Sequence, residues 1–155
     1  MAKRKGSTFS KPRTLRHTKK RPWLAVAAIC EKALVEKDRT PSVIRIIDTL
    51  TVESDEPKMP AGMLRFTLFL MFRGGPATGT KSLKISGLAP SGKEIVNHEH
   101  QLRLLGDEHS SILDIAMQMS VSDEGLYWFE IRLDGNLETR VPLRVRHRKR
   151  SRSAD

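Results

Sequence analysis

Residues 123–146 read DEGLYWFEIRLDGNLETRVPLRVR and contain two runs in which apolar and polar side chains alternate. Residues 126–133 form the first run and residues 137–145 form the second, with Asp134, Gly135 and Asn136 between them. Period-two alternation is typical of strands with one buried face. The stretch therefore predicts a β-hairpin, and β structure becomes the starting point for the rest of the chain.

The side-chain types also predict the register of this hairpin. A two-residue Asp-Gly loop would place Ile131 opposite Glu138 and mix the buried face with the exposed face. A three-residue loop keeps the faces apart and puts Asn136 in the left-handed conformation, which Asn tolerates. The predicted opposite pairs are Leu133 with Leu137, Ile131 with Thr139, Phe129 with Val141, Tyr127 with Leu143, Glu130 with Arg140 and Arg132 with Glu138.

Two residues on the polar face of the hairpin form a candidate protein interface. Trp128 lies opposite Pro142 in the predicted register, and Trp is enriched among the residues that dominate binding energy at interfaces. Pro142 has no N–H, which predicts an edge strand, where a partner strand could pair, or a bulge. The alternative for Trp128 is a single exposed aromatic residue without a binding role, which is common on protein surfaces.

The remaining sequence predicts further strands joined by short turns. Residues 63–72 are apolar on both faces, which indicates a central strand partly covered by another segment. Residues 24–35 also fit a helix, but we interpret them as a strand that forms a hairpin with residues 42–52. About seven to nine strands with closely spaced turn signals predict an all-β, immunoglobulin-like antiparallel sandwich. The six additional predicted strands are 24–35, 42–52, 63–72, 81–88, 94–105 and 112–121.

Two segments carry resemblances to known families. Residues 123–129, DEGLYWF, resemble the D-x-G-x-Y-x-C pattern of immunoglobulin-like domains, in which the tyrosine hydroxyl bonds to the preceding corner backbone; Phe129 replaces the cysteine. Residues 25–52, AVAAICEKALVEKDRTPSVIRIIDTLTV, and residues 123–145 resemble the opening and closing hairpins of a bacterial domain-of-unknown-function family of small β-sandwich proteins. The resemblance covers residues 23–146, implies the sandwich fold and brings no established activity.

Basic residues are concentrated at the two ends of the chain. Residues 1–22 contain nine Lys or Arg and no acid, residues 147–155 contain four and one Asp, and residues 23–146 contain 15 basic and 17 acidic residues. Because the ends have few apolar groups, we predict disordered basic arms at 1–22 and 147–155 around one β-sandwich domain at 23–146. The predicted nucleic-acid contacts are Lys3, Arg4, Lys5, Arg13, Arg16, Lys19, Lys20, Arg21, Arg148, Lys149, Arg150 and Arg152.

No residue pattern predicts a catalytic, cofactor or metal site. His98 and His100 could share one face of a strand, but a zinc site needs three protein ligands, so we interpret both as exposed polar residues. The single cysteine, Cys30, excludes an intrachain disulfide, fits a reducing compartment and is interpreted as a small buried hydrophobic residue. No apolar run approaches the roughly 20 residues of a membrane span, and we expect a cytoplasmic location.

These observations favour a binding role over catalysis. We expect a non-enzymatic protein-interaction or assembly module that binds an unknown protein or a second copy of itself, without a cofactor or a small-molecule substrate. The alternative is a nucleic-acid-associated protein whose basic arms attract phosphates without reading bases. Arms that only keep the protein soluble are equally compatible with the sequence.

Overall fold

The computed structural model describes residues 21–107 and 109–150, and this part of the chain folds into two packed β-sheets without a helix. The predicted all-β, immunoglobulin-like sandwich is confirmed. The nine strands are β1 Trp23–Val35, β2 Pro41–Ile46, β3 Thr49–Ser54, β4 Gly62–Arg73, β5 Thr78–Leu88, β6 Glu94–Leu105, β7 Ser110–Val121, β8 Gly125–Leu133 and β9 Asn136–Lys149. The described residues include no helix long and apolar enough to cross a membrane.

One sheet has four strands in the order β2-β1-β4-β7, and the other has five in the order β3-β9-β8-β5-β6. The prediction that residues 63–72 form a central strand is confirmed, since β4 lies between β1 and β7. Residues 24–35 are a strand, as the hairpin interpretation required. The core lies between the sheets, where alternate residues of β4 such as Leu68 and Leu70 meet alternate residues of β8 such as Ile131, all fully buried.

The predicted single strand at 42–52 is wrong, because the chain changes sheets within it. β2 pairs with β1, whereas β3 pairs with β9 in parallel. At the change, Ile47 N–H donates to Ile29 O at 2.7 Å and Arg144 N–H donates to Asp48 O at 2.8 Å. The two adjacent apolar residues Ile46 and Ile47 interrupt the alternation and are the sequence signal for this crossing.

The hairpin register is confirmed from the Tyr127–Leu143 pair to the Ile131–Thr139 pair, and it is wrong beyond that point. Arg132 lies opposite Leu137 and Leu133 lies opposite Asn136, so Leu137 and Glu138 do not face their predicted partners.

The turn between β8 and β9 explains why the observed register differs from the predicted one. Asp134 and Gly135 have positive φ angles of 47° and 80°, as in a two-residue type I′ turn, and Asn136 does not take the left-handed position. A β-bulge at Glu138 then restores the register that keeps apolar side chains inside. Without the bulge, the two-residue loop would mix the buried and exposed faces, which is why the side-chain pattern predicted a three-residue loop.

The last strand is longer than predicted and is an edge only in part. β9 continues to Lys149, so residues 147–149 are a strand rather than a disordered tail, because they pair with Val52–Ser54 of β3. Before Arg144, β9 has no described partner on that side. Arg144 N–H points toward β3, so the backbone of Pro142 points the same way and offers no donor there. Pro142 therefore protects this open edge against strand addition rather than inviting it.

The tyrosine corner is present. Tyr127 is 1% exposed, and its hydroxyl donates a hydrogen bond to the Asp123 carbonyl oxygen at 2.8 Å. Burial is the main cause that raises the pKa of the Tyr127 hydroxyl. The bond ties the β7–β8 connection to the core, which is the structural role that the sequence pattern predicted.

Replacing Tyr127 by Phe removes this bond while keeping the ring. We expect the free energy of unfolding to fall by about 1 kcal/mol, because a typical buried hydrogen bond contributes roughly 0.5–1.5 kcal/mol. Urea denaturation followed by circular dichroism measures the change. An unchanged urea midpoint would show that the corner bond adds no stability in this protein.

Candidate protein-interaction surface

The outward face of the five-stranded sheet carries the candidate site. On β8, Tyr127, Phe129 and Ile131 point into the core, so the residues between them point outward. The same alternation applies to β5 and β9, whose residues lie in register on either side of β8. Outward side chains of three neighbouring strands therefore form one continuous surface.

Apolar residues form the centre of this surface. Trp128 is 36% exposed and lies opposite Leu88 of β5 on one side and Pro142 of β9 on the other. Leu126, two residues before Trp128 on the same face, is half-buried, as is Leu88, whereas Pro142 is exposed. We call these four residues, Leu88, Leu126, Trp128 and Pro142, the Trp128 patch. The structure thus brings together the two interface residues predicted from the sequence and adds two leucines.

A buried carboxylate lies beside the patch. Glu130 is only 9% exposed although it is on the outward face, and Arg132 Nη2 lies 2.9 Å from its Oε2 while Arg140 Nη2 lies 2.8 Å from its Oε1. The hydrogen bond from Arg132 is the largest cause that lowers the pKa of the Glu130 carboxyl, and the bond from Arg140 adds to it. Both guanidinium groups are thereby held in place on the sheet surface.

A row of arginines follows β9 along the same face, and we call Arg140, Arg144, Arg146 and Arg148 the arginine row. Residues two apart on a strand are roughly 6.6 Å apart, so Arg144, Arg146 and Arg148 form a line of positive charge, and Pro142 separates them from Arg140. Arg148 forms an ion pair with Glu53 of β3, and Arg140 is held by Glu130. Within residues 21–107 and 109–150, Arg144 and Arg146 form no ion pair. Counting charge by chain segment missed this row, since its members fall mostly in the nearly neutral body of the sequence.

The predicted nucleic-acid contacts are only partly described by the structure. Arg21 lies beside the bulge, with Nη1 3.9 Å from Glu138 Oε1. Arg148 and Lys149 end β9, and Arg150 N–H donates to Ser54 O at 3.0 Å. Lys3, Arg4, Lys5, Arg13, Arg16, Lys19, Lys20 and Arg152 lie outside the described residues.

The sequence-based interpretation of His98 and His100 as exposed polar residues is wrong. They lie in the same row of every second residue as Val96 and Leu102, which are both buried, and so lie on the inward side of β6. Their rings stack with centroids 6.1 Å apart, and His100 Nε2 is buried without a hydrogen-bond partner. Both side chains are half-buried. No group of three potential metal ligands is found in the described part of the chain.

Cys30 is fully buried in β1, as the sequence had predicted. Burial is the main cause that raises the pKa of its thiol, and a raised pKa disfavours the reactive thiolate. Cys30 is therefore a packing residue of the four-stranded sheet.

Two solved structures resemble this chain at low sequence identity. An immunoglobulin-like protein from Pseudomonas aeruginosa has a TM-score of 0.40 at 12% identity, with 81% of this chain and 96% of that chain covered. The alkylpurine DNA glycosylase AlkC of Pseudomonas fluorescens, solved bound to DNA containing an abasic site analog, has a TM-score of 0.38 at 12% identity, with 77% of this chain and 30% of that chain covered. No curated protein matches the chain.

The family resemblance inferred from the two hairpins is confirmed. A family model matches residues 25–146, which contain both hairpins and all nine strands except the outer ends of β1 and β9. The chain belongs to DUF6941, a family of unknown function.

Proposed function

We propose that this protein is a non-enzymatic interaction module that binds an acidic protein surface through the outward face of its five-stranded sheet. The observation that carries the proposal is Trp128, which is half-exposed at the centre of that face and surrounded by the other apolar residues of the Trp128 patch. Interfaces typically combine a desolvated aromatic centre with a polar rim, and Trp and Arg are the residues most enriched among their dominant contacts.

The rigidity of this face supports the proposal. Trp128 lies on β8, which is paired on both sides, and the arginines beside it are fixed by Glu130. A surface that is already ordered loses little conformational entropy on binding, so more of the contact energy appears as affinity.

The arginines on this face favour a partner with an acidic surface. The acidic residues Glu130 and Glu53 each form ion pairs with arginines, and the Glu124 carboxylate beside Arg146 accepts the His147 N–H. Arg144 and Arg146, next to the patch, form no ion pair in the described part of the chain. A partner with carboxylates around an apolar projection would complement this surface and would be steered toward it by the field of the arginine row.

Replacing Trp128 by Ala is expected to weaken partner binding at least tenfold, since truncating a central aromatic contact commonly costs more than about 1.4 kcal/mol. Affinity capture from the native host with the full-length chain, quantified by mass spectrometry, identifies proteins that the wild type retains and the variant does not. Isothermal titration with each purified candidate then measures the dissociation constant.

Ile44→Ala is the matched control, because Ile44 is 42% exposed on β2 of the other sheet. It should leave binding unchanged, whereas Arg144→Glu should weaken it through charge reversal. A purified partner that binds the wild type and the Trp128 variant equally well would overturn the proposal.

A second candidate function is nucleic-acid association, and the arginine row favours it. A line of cations along one strand suits the phosphates of an extended nucleic acid strand, and the basic residues 1–22 would add to the attraction. Filter binding of a mixed-sequence oligonucleotide over a series of salt concentrations tests this function. Arg144→Gln combined with Arg146→Gln should reduce the log–log salt slope by about 0.7–0.9 for each phosphate that the variant no longer neutralises.

Removal of residues 1–20 and 151–155 measures the contribution of the ends without cutting β9, which a deletion from residue 147 would shorten. If neither the double substitution nor the deletion changes affinity or salt slope, phosphate binding is not a function of these residues.

A further inference from the structure

The two sheets have four edge strands, and three of them carry features that discourage pairing with another chain. β2 and β3 are only six residues long, β2 begins at Pro41, and Arg45 within it has a φ of 53°. β6 carries the charged residues Glu94, Glu99 and Arg103. Short edges, proline, irregular backbone and charge are the usual devices against edge-to-edge association.

The fourth edge strand, β7, has a single charged residue and none of the other devices. It spans Ser110–Val121 with the sequence SSILDIAMQMSV, and its only charged residue is Asp114. It pairs with β4 over all 12 residues in one uninterrupted register, so it is regular and contains no bulge. Among the described strands, none pairs with its other side. Every second residue of β7 therefore presents an unpaired backbone N–H and C=O to that side.

We infer that β7 pairs antiparallel with β7 of a second copy of this chain, joining two four-stranded sheets into one of eight strands across a two-fold axis. The inference concerns the sheet opposite the Trp128 patch and does not rest on the proposed function. A long regular edge with little charge and no proline is the structural requirement for pairing of this kind.

The buried face of β7 limits the possible registers. Ile115, Met117 and Met119 point into the core, so odd-numbered residues must lie opposite odd-numbered residues for both copies to keep their apolar faces inside. A pairing centred on Asp114 would put two carboxylates opposite each other, which is unfavourable. A pairing centred on Ala116 places Asp114 opposite Gln118, whose amide can donate to the carboxylate.

This register uses residues 113–119. Leu113 would face Met119 and Ile115 would face Met117, so both sides of the axis present similar apolar side chains. Ser111 Oγ donates to Arg103 O at 2.5 Å, and this contact between β7 and the end of β6 keeps the first residues of β7 away from a partner. The self-complementary apolar pattern and the Asp114–Gln118 hydrogen bond on each side of the axis argue for a second copy rather than an unrelated strand.

Charge substitution at the axis tests the inference. Ala116 is exposed, so Ala116→Lys and Ala116→Glu should each fold, but each would place two like charges opposite each other in the pair. Sedimentation equilibrium of the full chain should give a dimer of twice 17.5 kDa for the wild type and a monomer for either variant. Mixing the two variants should restore a dimer, because Lys then faces Glu.

The control is Gln101→Lys, which adds the same charge at an exposed position on β6, an edge strand of the other sheet, and should leave the dimer intact. A wild-type chain that stays monomeric at millimolar concentration overturns the inference. A dimer that survives both Ala116 variants overturns it equally, since the contact would then lie elsewhere.

A cysteine substitution tests the register. With Ala116→Cys, the two introduced thiols would face each other across the axis at a Cα separation of about 4.5–5.5 Å, within the range of a disulfide. Diamide, which accepts the two hydrogen atoms released, should then yield a covalent dimer on a non-reducing gel. Gln118→Cys should not cross-link. In this register each residue 118 faces Asp114 of the second copy, so the two introduced thiols would lie four residues apart along the paired strands. Cross-linking of the second variant alone would overturn the register.

Discussion

Phe129→Ala is expected to lower the free energy of unfolding by about 3–5 kcal/mol, the usual cost of removing a buried aromatic ring. Phe129 is fully buried, and its ring meets Phe66 of the opposite sheet edge-on, with centroids 5.4 Å apart and an interplanar angle of 74°. Gly87 lies opposite it, and a Cβ there would come within 3.1 Å of the ring, so the neighbouring strand is packed closely against Phe129. The cavity left by Ala could not collapse easily.

The position of Phe129 in the immunoglobulin pattern explains why its packing matters for stability. Phe129 stands where the immunoglobulin pattern has the second cysteine, so the aromatic pair with Phe66 replaces a covalent link between the sheets by packing. A double-mutant cycle with Phe66→Leu and Phe129→Leu should give a coupling energy of about 0.5–1.5 kcal/mol, which urea denaturation can measure. Additive effects of the two substitutions would contradict a specific contact between the rings.

Local alternation predicted most of the fold, because in a sandwich each strand must bury one face. It identified the strand at 112–121 and the pairing of Tyr127 with Leu143. It failed where the backbone departs from regular pairing, as at the bulge on Glu138 and the change of sheet after Ile46. These irregularities depend on which strands become neighbours in space, and a single sequence carries only faint signs of that.

The candidate surface was predicted to the same limited extent. Trp128 and Pro142 were found because their own hairpin supplies the pairing. Leu88 was missed because it comes from β5, which pairs with β8 only in the folded sheet. The inward orientation of His98 was missed because β6 has polar residues on both faces, so its alternation is weak.

The two proposed surfaces lie on different sheets, so pairing through β7 would leave the outward face of each five-stranded sheet free. One dimer would then present two Trp128 patches. A partner with two acidic sites would bind with an effective concentration set by the geometry of the dimer, and overall affinity could rise well above that of one site. The Ala116→Lys variant should bind such a partner with single-site affinity.

Glu130→Gln is expected to lower the free energy of unfolding at pH 7 by about 2 kcal/mol, because hydrogen bonds to a charged group contribute roughly 1.5–3 kcal/mol each and the exposed parts of Arg132 and Arg140 reduce that gain. The variant keeps the shape of the side chain but removes the charge that holds both guanidinium groups. It should also weaken partner binding, since the arginines beside the Trp128 patch would no longer be fixed.

The pH dependence distinguishes this cause from a general packing defect. Hydrogen bonds from Arg132 and Arg140 lower the pKa of the Glu130 carboxyl in the folded state, while an unfolded glutamate titrates near pH ~4.3. A lowered folded-state pKa means that the stabilisation is complete above about pH 4.3 and is lost as the pH falls through the folded-state value.

Urea denaturation at about pH 7 and about pH 3 should therefore show a gap in the free energy of unfolding between wild type and Glu130→Gln that narrows in acid. Glu99→Gln, which removes an exposed carboxylate from β6, should show no such gap at neutral pH. A gap of equal size at both pH values would mean that the amide disturbs packing and that the charge of Glu130 is not what stabilises the sheet.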